Sequence, residues 1–341
     1  MSDLKSVLEQ YDIDRRKSLD PLNEGRIYSA RHKESGKELA VKIMETDLDW
    51  DKGQIEKVYK VAMQYHHPNL LTYQSVYRFV DGNWVSNYIF MEKSSGESLG
   101  NKATGQLKLG DKKKIATDIF AALNHLQAYG LVHQRLAPDH ILLDRIEGTS
   151  RARLINYINA TENEEQNFHL GAYECLAPEQ IEEYLEVGMH TDIWALGVVL
   201  YYLFTGQYPF GQLTMRYSNK QIKTRILQAD IPKLLVTIPQ PFQNMVKKCL
   251  EKSPMDRWQD VQELSHYYES YLRRTTQVVQ KNPANPTVSH SDSASRAAEP
   301  IEKFPVRRYR RKPSAPVRWW HIAIAFVLAG VLGYYLSKLT A

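Results

Sequence analysis

His190 to Phe210 read HTDIWALGVVLYYLFTGQYPF. From Ile193 to Phe204 all twelve residues are apolar or aromatic apart from Gly197. A helix without a polar side has to lie inside protein, and this one is too short to cross a bilayer. Thr191 and Asp192 suit the helix start, and Gly206 followed by Pro209 suits its end. The rest of the chain must then supply the layers that bury it.

At 341 residues the chain has room for one large two-lobed domain or two ordinary ones. Its 43% hydrophobic and 24% charged residues are globular values. Cys175 and Cys249 lie far apart with no His or Cys cluster around either, which favours a reducing compartment and weighs against structural zinc. His66-His67 lack a third ligand at useful spacing, so no metal is expected there. The formal charge of +5 hides an asymmetry: residues 303–341 carry eight Lys and Arg and no acid, leaving −3 on residues 1–302. No nucleic-acid partner is expected. The opening MSDLKSVLEQYDIDRR is charged throughout and has no apolar core, so no secretory signal is expected and the N-terminus is expected to stay in the cytosol.

Ile27, Tyr28 and Ala30, the turn Lys33 to Gly36, and Leu39-Ala-Val-Lys-Ile43 read as strand, turn, strand, with Lys42 in an apolar run. Asp51 to Tyr65 has helical spacing. Strands are predicted at Leu70–Phe79 and Trp84–Glu92, joined at Asp81-Gly82. A helix is predicted from Asp111, as its cap, to Tyr129, with Ile115, Ile119, Leu123 and Leu126 on the core face.

Six stretches then resemble, in order, the motifs of a protein kinase. They are Ala40-Val-Lys-Ile43, the hinge-like Met91-Glu92-Lys93, Leu131-Val-His-Gln-Arg-Leu-Ala-Pro-Asp-His-Ile-Leu-Leu143, Asn156-Tyr157-Ile158, Ala177-Pro178-Glu179, and the buried helix itself. The resemblance covers about Asp20 to Arg273. It implies an α+β fold of two lobes, a small β-rich N-lobe over residues 15–93 and a large helical C-lobe over 94–274, after an N-terminal extension at 1–14. It also implies that Asp192 holds the backbone of the catalytic loop and that Glu179 meets Arg257, both structural roles. Nucleotide would meet Gly25, Lys42, Met91 and Lys93.

The departures fall on the groups that handle phosphate, metal and proton. The three glycine positions of the phosphate loop hold Asp20, Leu22 and Gly25, with Pro21 stiffening the turn. The helix glutamate that pairs with the strand lysine falls at Val58, and Glu56 is on the wrong face, so that pair is expected to be missing. Arg135 stands at the general base and cannot accept a proton. The loop lysine is Ala137, Gln134 replaces an arginine, and the two metal positions hold His140 and Asn156. The expectation is a protein kinase fold without catalysis, not an enzyme, acting as a scaffold or signalling regulator through unidentified protein partners. No cofactor or metal would be required, and any ATP binding would be weak and independent of magnesium. The alternative is an unorthodox active Ser/Thr kinase using ATP, with Asp139 or Asp144 in a shifted role.

Residues 275–318, rich in Pro, Ser, Ala and charge, read as disordered linker. A flexible coil of about 44 residues reaches roughly 35 to 40 Å. Arg307 to Lys312 is basic and suits acidic lipid. Trp319 to Ser337 is free of charge over 19 residues with aromatic residues at both ends, as expected of one transmembrane helix. The expectation is a single-pass, C-terminally anchored membrane protein with the kinase-like domain in the cytoplasm. Ala325, Ala329 and Gly333 form a small-residue stripe through which a homodimer is conceivable.

Overall fold

A computed structural model describes residues 4–19, 26–51, 53–146, 149–157, 173–182, 187–213, 217–231 and 233–281. The chain divides into Met1–Pro283 and Ala284–Ala341, and the fold below is that of the first unit. The first residues expected in the linker, 275–281, are instead the end of a helix, Val261–Lys281, whose helical period the linker's polar composition hides; the rest of the linker, Arg307 to Lys312, the apolar run Trp319 to Ser337 and the Ala325, Ala329, Gly333 stripe lie outside the described residues. Among the described residues no helix is long and apolar enough to cross a membrane.

A short helix α1 (Leu4–Leu8) leads into a five-stranded antiparallel sheet made of β1 (Tyr11–Ser18), β2 (Arg26–His32), β3 (Glu38–Asp47), β4 (Tyr73–Asp81) and β5 (Trp84–Glu92). Its order is β1-β2-β3-β5-β4. The central strand β3 is covered on both faces, which is why its sequence is a continuous apolar run rather than an alternation. Val41 and Ile43 face a cluster with Val7, Tyr11, Tyr88 and Phe90, while Ala40 joins Ile55, Tyr59, Ile89 and Met91 on the other side. Side chains alternate along a strand, so Lys42 lies on the face of Ala40.

Three boundaries differ from the sequence reading. The segment taken as an N-terminal extension contains the start of edge strand β1, whose charged residues hide its pairing to β2. The strand expected from Leu70 begins at Tyr73, because the backbone at Asn69 to Leu71 is bonded to Leu154 instead. The helix expected over Asp51–Tyr65 is the shorter α3 (Gln54–Ala62), parted at Gly53, with φ 80°, from a preceding turn of helix, α2 (Leu48–Asp51). A left-handed residue cannot continue a helix.

The helical part begins after β6 (Glu97–Ser98) with α4 (Leu109–Ala128), followed by the hairpin β7 (Ile141–Ile146) and β8 (Thr149–Leu154). Then come α5 (Pro178–Ile181), α6 (Met189–Thr205), α7 (Asn219–Gln228), α8 (Phe242–Cys249) and α9 (Val261–Lys281). This division into a β-rich N-terminal part and a helical C-terminal part fits the two-lobed arrangement. Ile115, Ile119, Leu123 and Leu126 of α4 are fully buried as the spacing predicts. Asp111, however, sits in the first turn of α4 and Lys108 precedes it, so the acid complements the helix dipole rather than capping it.

Helix α6 is the buried rod that its sequence requires: every residue from Thr191 to Tyr201 is buried. It starts at Met189, one turn before Asp192, with the Gly188 N–H donating to Thr191 Oγ1 at 3.2 Å, and ends at Gly206 with φ 72°. Gly197 lets α8 approach, since a Cβ there would lie 2.5 Å from Cys249 Cβ and 3.0 Å from Leu250 Cδ2. The interior absence of a side chain is therefore a packing requirement, not a helix break.

Candidate active site

The cleft between the sheet and the helical part is built on the turn His133 to His140. Asp192 carries it: Oδ2 accepts the N–H of His133 at 2.7 Å and Oδ1 that of Gln134 at 2.8 Å. Gln134 has φ 60°, a conformation that costs a non-glycine residue about 1–2 kcal/mol. Those bonds, and Gln180 Nε2 donating to the Gln134 carbonyl at 3.1 Å, hold it there. Burial pushes the Asp192 carboxyl up to about 7, against the two N–H donors that pull it down.

His133 is buried, and burial together with His140 pushes it down to about 3, so it is neutral. His140 Nδ1 donates to the Arg135 carbonyl at 2.6 Å, which sets its tautomer. Arg135 is half-buried beside Tyr73 and His133.

Lys42 projects from β3 into this cleft with 4% of its surface exposed, and its Nζ lies 3.5 Å from Asn156 Oδ1. Asn156 follows β8 with φ 54°, a region that asparagine tolerates better than most side chains. Its N–H donates to Tyr73 Oη at 3.1 Å. Glu56 pairs with Lys60 at 2.6 Å, four residues along α3.

Lys93 is bonded to Ser29 Oγ and Glu38 Oε2, each at 2.9 Å, and strand alternation puts both partners on the face of the sheet that carries Ala40 and Lys42. Met91 is buried in β5 opposite Tyr73 and Ala40. Asp144, offered for a shifted catalytic role, is a clamp on the inter-lobe connection. Its Oδ1 accepts Ser94 Oγ at 2.6 Å and the Gly96 N–H at 2.8 Å, and its other oxygen pairs with Arg153, which reaches Glu92 at 2.6 Å. The Asp139 carboxylate lies against Gly100, where a Cβ would meet Oδ1 at 1.9 Å. Both carboxylates leave the cleft for packing reasons that local sequence does not express. Gly25, with Asp20, Pro21 and Leu22, lies outside the described residues.

Away from the cleft, Glu179 and Arg257 form the expected ion pair, two bonds of 2.8 and 2.9 Å. Thr191 Oγ1 donates to Glu179, and the His190, Glu251 and Lys252 carbonyls accept the remaining guanidinium hydrogens.

The fold family implies magnesium. Among the described residues no three His, Cys, Asp or Glu side chains converge to hold a metal. The donors at the two metal positions are an imidazole whose Nδ1 is engaged and an amide oxygen facing Lys42, a poor match to a hard cation that wants several oxygens.

A family model described as protein kinase domain matches residues 23–269. Similar curated proteins include sperm motility kinase 2A of Mus musculus, 28% identical over 202 residues that are 58% of this chain and 38% of that one. The probable serine/threonine-protein kinase PknB of Lactococcus lactis is 26% identical over 66% of this chain and 36% of its own. Serine/threonine-protein kinase PrkC of Bacillus subtilis is 26% identical over 87% of this chain and 48% of its own. The chain spans about two fifths of the length of the first of these. These findings overturn the expectation that the chain is not an enzyme: the matched domain and the relatives' names both point to kinase chemistry. That expectation equated the loss of proton and metal groups with the loss of the reaction.

Proposed function

We propose that this chain, which belongs to the protein kinase domain family, slowly transfers the terminal phosphoryl group of ATP to protein hydroxyls, using fixed cations where kinases ordinarily use carboxylates. The observation that carries this reading is Lys42 held 3.5 Å from Asn156 at the end of β8, with Arg135 beside Tyr73, inside an architecture that keeps Asp192, Glu179 and Arg257 in place. Phosphoryl transfer passes through a loose transition state whose demands are chiefly positioning and charge neutralisation. Lys42 and Arg135 supply fixed positive charge to the phosphate oxygens, and Arg135 meets them in a planar fork. Neither accepts the hydroxyl proton, which passes to an oxygen of the transferring phosphoryl group as the new O–P bond forms and ADP leaves, so the rate should fall short of a kinase with a base by about 10²–10⁴-fold.

The test is incorporation of γ-phosphate by the full chain, into itself and into a generic Ser/Thr protein. Slow but stoichiometric incorporation is expected, lost in Lys42→Ala and in Arg135→Ala but kept in Asp139→Asn, whose carboxylate faces Gly100. ATP affinity should be weak and the same with magnesium as with a chelator. Absence of incorporation by the wild type, or its survival in Lys42→Ala, would refute this reading.

We also propose that Trp319 to Ser337 anchors the chain in a membrane, with Arg307 to Lys312 against acidic lipid and the kinase domain on the cytoplasmic side, where it engages protein partners. Carbonate washing of membranes should leave the full chain in the pellet and release a chain ending at residue 318. Release of both would end this proposal.

A further inference from the structure

Three buried tyrosines join helix α3 to the cleft. Tyr59 of α3 meets Tyr73 edge-on at a ring separation of 5.0 Å, and Tyr73 meets Tyr157 at 5.4 Å. All three are at most 7% exposed. The Tyr157 hydroxyl donates towards the Leu71 carbonyl at 3.1 Å and is 3.4 Å from that of Ala62, the last residue of α3. The Tyr73 hydroxyl accepts the Asn156 N–H at 3.1 Å, and Asn156 is the residue with φ 54° whose amide oxygen faces Lys42. Glu56, the acid of α3 nearest the position that meets the strand lysine in kinases, is paired with Lys60.

We infer that Tyr73 is a positioning residue for the phosphate-facing end of the cleft: its hydroxyl pins the Asn156 backbone in the left-handed conformation that aims the amide at Lys42. Tyr157 ties the same segment to the C-terminal end of α3. A hydroxyl buried only for packing would have no reason to act on phosphate affinity in particular.

This inference rests on the nucleotide site proposed above, and its test separates the two. Tyr73→Phe in the full chain removes one oxygen and keeps the ring contacts. ATP affinity should fall about 5-fold, the worth of one hydrogen bond, while adenosine affinity stays unchanged, since adenosine has no phosphate to position. Amide hydrogen exchange at Asn156 should quicken whether or not nucleotide is present. In an Asn156→Ala background Tyr73→Phe should have no further effect on ATP, the signature of two residues acting as one unit. Equal losses for ATP and adenosine, or unchanged exchange at Asn156, would overturn the inference. If the wild type binds no ATP the nucleotide reading fails, and the exchange measurement alone then decides whether Tyr73 positions Asn156.

Discussion

Replacing Arg257 by alanine should cost about 3–5 kcal/mol of stability, because it leaves the Glu179 carboxylate buried without its cation. Both side chains are 0% exposed, and the guanidinium is bonded on every side by Glu179 and three backbone carbonyls. Burial alone would raise the pKa of Glu179, but the bonds and charge of Arg257 and the Thr191 hydroxyl outweigh it and hold it below the ordinary 4.5. A depressed carboxyl stabilises the fold above its unfolded pKa and loses that contribution as pH falls through the folded value. The wild type should therefore weaken on acidification below about pH 4.5. In Arg257→Ala burial is opposed only by the Thr191 hydroxyl and a backbone bond, so the folded pKa should rise above the unfolded one and stability should increase as pH is lowered. Urea unfolding of both chains between about pH 7 and pH 3 reads the sign of each slope directly. Parallel slopes would show that the pair is not what sets the charge of Glu179.

Replacing Asp192 by alanine should be as damaging, with a different pH signature. Two buried N–H groups, of His133 and Gln134, would lose their acceptors at about 1–3 kcal/mol each. Gln134, no longer held at φ 60°, should relax and carry Arg135 out of the cleft, so phosphoryl transfer should go with the stability. The carboxyl is raised by burial from 3.8 to about 7, and the two N–H donors only reduce that rise. A raised carboxyl contributes stability that is fully present below its unfolded pKa and is lost as pH climbs through the folded one, here from 3.8 to about 7. Asp192→Asn keeps one acceptor and cannot ionise, so its deficit relative to wild type should be larger at about pH 5 than at about pH 8. Equal deficits at the two pH values would mean that the wild-type carboxyl is ionised throughout.

The architecture was legible because it is written in local patterns. The apolar run of α6 has one reading, the hairpins announce themselves at Gly36 and Gly82, with φ 68° and 57°, and the core face of α4 follows a helical period. Edge strand β1 escaped notice because its charged side chains carry no apolar alternation. The cleft was only half legible. That Lys42 lies on the inner face follows from its place in β3, and the structural roles of Asp192, Glu179 and Arg257 follow from motif order. Asp139 and Asp144 are directed by partners far along the chain that local sequence does not reveal, Gly100 for the first and Ser94 with Arg153 for the second.

From residue types alone follow the chemistry that each position is able to perform and the periodicity that buries it: arginine at 135 cannot be a base, and a chain of apolar residues at 193–204 must be interior. Only the tertiary structure decided which groups meet. The Tyr73 hydroxyl and the Asn156 N–H are 83 residues apart in sequence and 3.1 Å apart in space. No local preference selects such a contact, because it is set by how β4 and β8 are brought together by the backbone pairing of Leu71 with Leu154.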